Sequence, residues 1–148
     1  MIQARLILAG ERIIEPMLAL ARCSKLQRIL VAGSKSAELM FELHRRGHVR
    51  VATTANCGLP AGQYDVALVD WRQRSIKALE TTLDWLVDFL NPAGVVVVWV
   101  DPQDPAGNRK LRRALEAHGL TVEAGTIREY GCAVSAQRRD MKPLPRAA

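Results

Sequence analysis

Glycine, hydroxyl and carboxyl residues stand at the ends of several short apolar segments, where a folded chain could present them to a small ligand. These candidate ligand-contacting residues are Gly33, Ser34, Lys35, Ser36, Thr53, Asn56, Asp70, Trp71 and Asp101. Backbone N–H groups at the start of the helix after Gly33 suit a phosphate or a carboxylate. Asp70 could accept a hydrogen bond or act as a base, and Trp71 could stack on a ring. Alternatively, Asp70 and Asp101 only cap the segments that follow them.

The sequence contains no recognisable set of catalytic or metal-binding residues. No nucleophile has a base beside it, and neither a P-loop nor a metal triad is present. The histidines are His44, His48 and His118, and the cysteines are Cys23, Cys57 and Cys132. The histidines fall near predicted helix ends without clustering, and the widely spaced cysteines form no CxxC or Cys/His pattern, which indicates reduced, buried thiols. We therefore assign no catalytic residue and no metal ligand.

Short strands alternate with helices along most of the chain. Strands are predicted at residues 28–33, 49–54, 64–71, 95–100, 121–130 and 132–137, and helices at 14–23, 34–46, 75–90 and 108–118. The run 91–94 (NPAG) predicts a break before the strand at 95. This alternation predicts a mostly parallel sheet with helices on both faces. In such sheets ligands bind beyond the carboxyl ends of the strands, near the point where the strand order reverses, which selects the candidate residues above.

Four segments together resemble the class I S-adenosylmethionine-dependent methyltransferases. They are ILVAGSKSAELMFELHRRGH from residue 29, LPAGQYDVALVDW from 59, LNPAGVVVVW from 90 and LRRALEAHGLTVEAGTIREYGCAVSAQRR from 111. They are similar to that family's first strand, turn and helix, its fourth strand, its fifth strand, and its closing helix with an antiparallel strand pair. The resemblance implies an α/β, Rossmann-like three-layer sandwich of about six strands, with S-adenosylmethionine as the cofactor.

The sequence departs from this family in the residues that would hold the cofactor. Of the glycines in the family's G-x-G-x-G turn only Gly33 is in place, and Lys35 and Ala37 occupy the other two positions. No acidic residue lies between Arg46 and Tyr64, where the family has a ribose-binding carboxylate. The same interval is too short for two strands with a helix between them, so we expect the strand at 49–54 to lead directly into the loop 56–62. We therefore expect weak or absent binding of S-adenosylmethionine.

Two classes of function remain open for this fold. One is a small or divergent methyltransferase, in which Asp70 or Asp101 faces the acceptor. The other is a noncatalytic relative that serves as a binding or assembly module. YDVALVDW, from residue 64, also resembles the middle of a response-regulator receiver domain, although the acid pair expected after its first strand is missing.

Length and composition agree with one α/β domain in the cytoplasm. The chain has 148 residues, 49% of them hydrophobic. We expect a helical segment at 1–27, the Rossmann-like domain at 28–138 and a mobile basic tail at 139–148. We identify neither a secretory leader nor a membrane-spanning segment in the sequence. The net charge of +6 is scattered, aromatic residues are few, and no nucleic-acid-binding motif is present, so a small-molecule ligand is favoured over nucleic acid.

The predicted helix at 75–90 carries more apolar surface than a monomer's surface helix needs. Its first apolar stripe, expected to pack on the sheet, comprises Ile76, Leu79, Leu83, Leu86, Val87 and Leu90. Trp85 and Phe89 fall on another side of the helix. They require a second cover, either the N-terminal helix around Met17 to Leu20 or another subunit. We therefore expect a homo-oligomer formed through Trp85 and Phe89.

Overall fold

The computed structural model describes residues 13–33, 36–53, 62–71, 75–100, 105–128 and 131–138. Helix α1 is described over residues 13–21. The remaining elements are β1 (Ile29–Gly33), α2 (Ser36–Arg45), β2 (Val51–Thr53), β3 (Tyr64–Trp71), α3 (Ile76–Phe89), β4 (Leu90–Val100), α4 (Pro105–Ala117), β5 (Leu120–Arg128) and β6 (Gly131–Arg138). Within these ranges, no helix is both long and apolar enough to cross a membrane.

The six strands form one sheet in the order β2-β1-β3-β4-β6-β5. Strands β2, β1, β3 and β4 are parallel, and β6 pairs antiparallel with both β4 and β5. The predicted fold is confirmed: a mostly parallel sheet of six strands that closes on an antiparallel pair. The receiver-domain alternative fits this sheet poorly, because that fold places five strands in the order 2-1-3-4-5 and has no antiparallel strand between its last two.

Helices cover both faces of the sheet, which gives the three layers. On one face α3 and α4 pack on the sheet through Leu79, Leu83, Leu86, Leu111 and Leu115. On the other face α1 and α2 do so through Ile13, Ile14, Met17, Leu39 and Leu43. The central strands read as continuous apolar runs because both of their faces are buried, as is usual for parallel strands.

The N-terminal helix does not cover Trp85. Met17 of α1 belongs to the core on the α2 side of the sheet, whereas Trp85 of α3 packs at the margin of the core on the opposite side. Trp85 instead stacks edge-to-face on Phe89, with ring centroids 5.9 Å apart, and Phe89 stacks in the same manner on Tyr64 at 6.4 Å. The expectation that α1 is a candidate cover was therefore wrong, and both aromatic side chains of α3 are half-buried within their own chain.

The predicted break at residues 91–94 is observed as an irregular stretch within β4 and not as a loop before the strand. Strand β4 starts at Leu90, directly after α3, and continues through these residues. Tyr64 pairs with Leu90 and Val66 with Val95, so the register between β3 and β4 shifts over this stretch. Side-chain hydrogen bonds stabilise the irregular segment: the Asn91 amide donates to Asp65 Oδ1 at 2.7 Å, and the Ala93 N–H donates to Asn91 Oδ1 at 3.0 Å. Local turn composition could not reveal the partner on β3, Asp65.

Other element boundaries agree with the predictions to within a few residues. Helix α4 begins at Pro105, three residues before the predicted start, because proline is tolerated at the first helical position. Strand β2 is shorter than predicted, at Val51–Thr53. The predicted direct passage from this strand into the loop 56–62 lies mostly outside the described residues, as does the tail 139–148.

An ion-pair network joins α1 to α2. The buried Glu42 accepts hydrogen bonds from Arg45 and Arg46, and Arg46 also pairs with Glu15 of α1 at 2.9 Å. The hydrogen bond from Arg45, followed by that from Arg46, lowers the pKa of Glu42 below its usual value. Glu42 is therefore ionised at neutral pH. The positive charges of Arg45 and Arg46 compensate its buried negative charge.

Candidate functional site

The strand order reverses between β1 and β3, and this point is where sheets of this type bind ligands. Gly33, the last residue of β1, lies opposite Asp70 in the parallel register, and Asp70 lies opposite Trp99 of β4. Thr53 ends β2 and pairs with Val31, two residues before Gly33. The structure therefore brings Gly33, Thr53 and Asp70 to the same edge of the sheet, as the sequence predicts.

Gly33 occupies a position that accepts no side chain. Its φ is +106°, a backbone conformation that residues with a Cβ rarely adopt. A Cβ at this position would also overlap the backbone carbonyl of Asp70. The two strands thus approach each other closely at the switch point, and the sheet itself requires glycine at this position.

Asp70 and Trp71 point to opposite faces of the sheet. Successive side chains of a strand alternate between faces, so Asp70 lies on the side of α1 and α2, together with Leu68 and Trp99. Asp70 is fully buried and engaged in contacts within the chain. Asp70 is therefore a buried acidic residue at the switch point, held by contacts within the chain.

Trp71 lies on the α3 side, where its exposed fraction is 6%. Its indole Nε1–H donates to the backbone carbonyl of Ser75 at 2.9 Å, directly before α3. The Ser75 hydroxyl in turn accepts the N–H of Ala78 and caps that helix. In the described residues Trp71 therefore fixes the start of α3, and its proposed stacking on a ligand stays a prediction. The alternation of side chains along a strand was the sequence signal that Trp71 and Asp70 lie on opposite faces of the sheet.

The remaining candidates divide between the start of α2 and residues outside the described ranges. Ser36 is the first residue of α2 and is half-buried, and Glu38 follows in the first turn, where a negative charge suits the helix dipole. Ser34, Lys35, Asn56 and Asp101 lie outside the described residues. The part of the site that the structure describes thus consists of Gly33, Ser36 and Thr53, which can offer close backbone approach and hydroxyls, together with Asp70, which is fully buried at the same edge of the sheet.

Among the described residues, no three side chains of the kinds that bind metals come together. His48 is buried, and its Nδ1 has no hydrogen-bond partner within the part of the chain that the structure covers. Burial, together with the positive charges of Lys25 and Arg46, lowers the pKa of His48. This histidine follows α2 and precedes β2, so it lies toward the amino end of the strand, away from Thr53 and the switch point.

Sequence reasoning missed a cavity between α4 and the strands β5 and β6. Its volume is about 310 Å³, and Arg109 and Arg112 of α4 are among its lining residues. The spacing of three residues on a helix places these arginines on one side of α4, and this spacing was the available signal. The opposite wall depends on the antiparallel pairing of β5 and β6, which a local pattern does not specify.

No protein-family model matches the chain, and no curated protein matches its sequence. Solved structures do match its fold. An S-adenosylmethionine-dependent methyltransferase from Aquifex aeolicus superposes with a TM-score of 0.62 at 11% identity, covering 86% of this chain and 88% of that one. The 1,6-didemethyltoxoflavin-N1-methyltransferase of Burkholderia thailandensis superposes with a TM-score of 0.60 at 15% identity, covering 93% and 83%.

A third solved structure, an S-adenosylmethionine-dependent methyltransferase from Methanosarcina mazei, has a TM-score of 0.58 at 10% identity and covers 84% of this chain and 97% of that one. Identities this low carry the fold and not the activity. The three superpositions cover between 84% and 93% of this chain. The chain therefore has the Rossmann-like fold of the class I S-adenosylmethionine-dependent methyltransferases.

Proposed function

We propose that the protein is a divergent, noncatalytic methyltransferase-like module whose switch-point cleft binds S-adenosylmethionine weakly or not at all. The observation that carries this proposal is the position of β2. Among the described residues β2 is the outermost strand, three residues long, and the whole interval between Arg46 and Tyr64 contains no carboxylate. A cleft of this kind has little to hold the adenosine half of the cofactor.

The glycine-rich turn supports the same proposal. Lys35 and Ala37 stand where the resembling family has glycines, and each adds a side chain close to where the backbone would approach a ligand. Ala37 is exposed in the first turn of α2. Compared with two glycines, the two residues add side-chain volume and one positive charge to this turn.

Calorimetric titration with S-adenosylmethionine tests the proposal. We expect a dissociation constant weaker than about 100 µM, which corresponds to less than about 5.5 kcal/mol of binding free energy. The triple variant Lys35→Gly, Ala37→Gly, Thr53→Asp restores the two glycines and places a carboxylate at the end of β2. It should bind at least about tenfold more tightly. Lys25→Ala, which removes one positive charge outside the candidate site, serves as the control and should not change the affinity.

A low-micromolar dissociation constant for the unmodified protein would contradict the proposal and favour the second candidate function, a small methyltransferase. A specific observation favours that alternative: Gly33, the one glycine of the turn that is in place, closely approaches the Asp70 backbone at the switch point. Methyl transfer requires mainly the alignment of the methyl group with its acceptor, so few obligate residues are expected. The cytoplasmic location expected from the sequence stays a prediction.

A further inference from the structure

The cavity between α4 and the strands β5 and β6 has an apolar floor. Leu111 of α4 is 2% exposed and belongs to the core on that face, and Val122 of β5 and Val134 of β6 pack against the same core. Its volume of about 310 Å³ lies at the lower end of the range of about 300–1,000 Å³ in which small-molecule sites occur. The floor therefore fits one ring or a short alkyl chain.

The rim of the cavity is positively charged. Arg109 and Arg112 line it from α4, and both are exposed. Within the part of the chain that the structure describes, neither arginine forms an ion pair or a hydrogen bond. Asn108 lines the same side and adds an amide. Two unpaired guanidinium groups above an apolar floor are complementary to an anionic head on an apolar body.

The cavity is separate from the switch point. Its described lining residues belong to α4, β5 and β6. Gly33 pairs with Asp70, Asp70 with Trp99, and Trp99 with Ala133, which lines the cavity. Three strand spacings along this row of paired residues amount to about 14 Å. A ligand in the cavity would therefore leave Gly33 and Asp70 uncovered.

We propose that this cavity is a binding site for a small amphipathic anion, whose apolar body rests on Leu111, Val122 and Val134 and whose carboxylate or phosphate head contacts Arg109 and Arg112. The proposal goes beyond the methyltransferase-like function and does not depend on S-adenosylmethionine. Arginine binds both kinds of head group through two parallel hydrogen bonds, so the shared chemistry is an oxyanion on an apolar body.

Titration of the full chain with four probes tests this site, with binding followed by calorimetry and by backbone amide NMR shifts. The probes are 4-phenylbutyrate, phenyl phosphate, the neutral 4-phenylbutan-1-ol and inorganic phosphate. We expect one or both amphipathic anions to bind at least about tenfold more tightly than the alcohol and inorganic phosphate. The preferred head group identifies the ligand as a carboxylate or a phosphate ester. Equal binding of the alcohol or of inorganic phosphate would overturn the proposal.

Matched variants on α4 assign the binding to the cavity. Arg109→Ala/Arg112→Ala should weaken binding of the preferred probe at least about tenfold. Lys110→Ala/Arg113→Ala removes the same charge from exposed positions of the same helix that do not line the cavity, and should leave the affinity within about twofold. Equal losses in both double variants would show a general electrostatic attraction and overturn the assigned site.

A third variant fills the cavity without removing charge. Gly125 lines it from β5, and a Cβ there would meet its nearest neighbour, the Ala133 carbonyl, at an ordinary contact distance of 3.5 Å. Gly125→Leu should therefore abolish binding while the thermal unfolding midpoint stays near that of the unmodified protein. Full binding by a folded Gly125→Leu variant would contradict the proposal, and the arginine pair tests it independently should this variant fail to fold.

Discussion

At the scale of one residue, Gly33 shows that the geometry of the sheet requires a residue without a side chain beside the candidate ligand site. The positive φ alone makes alanine unfavourable at this position by about 1–3 kcal/mol. Overlap of the new Cβ with the Asp70 carbonyl adds about 1–3 kcal/mol, because that carbonyl belongs to the backbone of β3, which is paired with a strand on each side. We therefore expect Gly33→Ala to lower the free energy of unfolding by about 2–6 kcal/mol, measured by urea denaturation.

Gly119 provides the matched control for this prediction. It follows α4 with a φ of +79°, and a Cβ there would meet nothing within 4 Å. Gly119→Ala should thus show the conformational cost alone, about 1–2 kcal/mol. Equal losses at both positions would mean that the strands can separate at the switch point, and that the close approach of β1 to β3 has no energetic weight.

At the scale of the elements, His118 joins α4 to α3. Its Nδ1 lies 2.7 Å from the Ala114 carbonyl oxygen, and its Nε2 lies 2.7 Å from Asp84 Oδ1. Both partners are acceptors, so only the protonated imidazole can donate to both at once. Burial opposes protonation, but the bond to Ala114 and the carboxylates of Asp84 and Glu80 outweigh it and raise the pKa of His118.

This raised pKa predicts a pH dependence of stability with a definite sign. The stabilisation by His118 is complete below the pKa of an unfolded histidine, about 6.5, and is lost as the pH rises through the higher folded pKa. Because Asp84 is mostly exposed, the contribution should be about 0.2–1 kcal/mol. The difference in unfolding free energy between the unmodified protein and His118→Gln should therefore shrink from pH 6 to pH 9.

The comparison with His118→Gln at each pH removes the contribution of His48. The pKa of His48 is lowered, so this residue destabilises the folded state as the pH falls and acts in the opposite direction. A difference between the two proteins that grows with rising pH would show that the folded state disfavours the protonated imidazole of His118, and would contradict the prediction.

At the scale of the whole molecule, the aromatic side of α3 predicts self-association. Trp85 and Phe89 are half-buried, and α1, the cover expected within the chain, lies on the opposite face of the sheet. Large aromatic side chains are enriched at the centres of protein interfaces. We propose that a second copy of the chain covers the remaining surface of Trp85, and expect light scattering to show an oligomer at tens of micromolar protein.

Charge substitutions on α3 separate this interface from general aggregation. Trp85→Lys should shift the scattering mass toward the monomer, whereas Thr81→Lys, which places the same charge at an exposed position of the helix, should not. A monomeric unmodified protein at the same concentration would contradict the proposal. In that case the side chain of Trp85 would be buried only by its contacts with Phe89 and with the margin of the core in its own chain.

Much of the fold could be predicted from local patterns. The strand at Tyr64–Trp71 is observed with the predicted bounds, because a near-continuous apolar run between polar residues is typical of a parallel strand buried on both faces. Helix α3 is observed within one residue of its predicted start, since Ser75 is a good cap and the apolar stripe continues to the end of the helix. The inclusion of segment 91–94 in β4 could not be predicted, because Asn91 is stabilised there by Asp65, a partner 26 residues away.

For the candidate site, the sequence by itself determined which residues end the strands, and hence that Gly33, Thr53 and Asp70 share one edge of a parallel sheet. Only the tertiary structure decided what these residues do there. The pairing of β1 with β3 makes Gly33 a steric requirement, and the packing of α3 directs Trp71 to the Ser75 carbonyl. The cavity beside Arg109 and Arg112 arises only when α4 lies over β5 and β6. Local periodicity fixes elements because it acts over a few residues, whereas clefts and cavities form between segments that are distant in the chain.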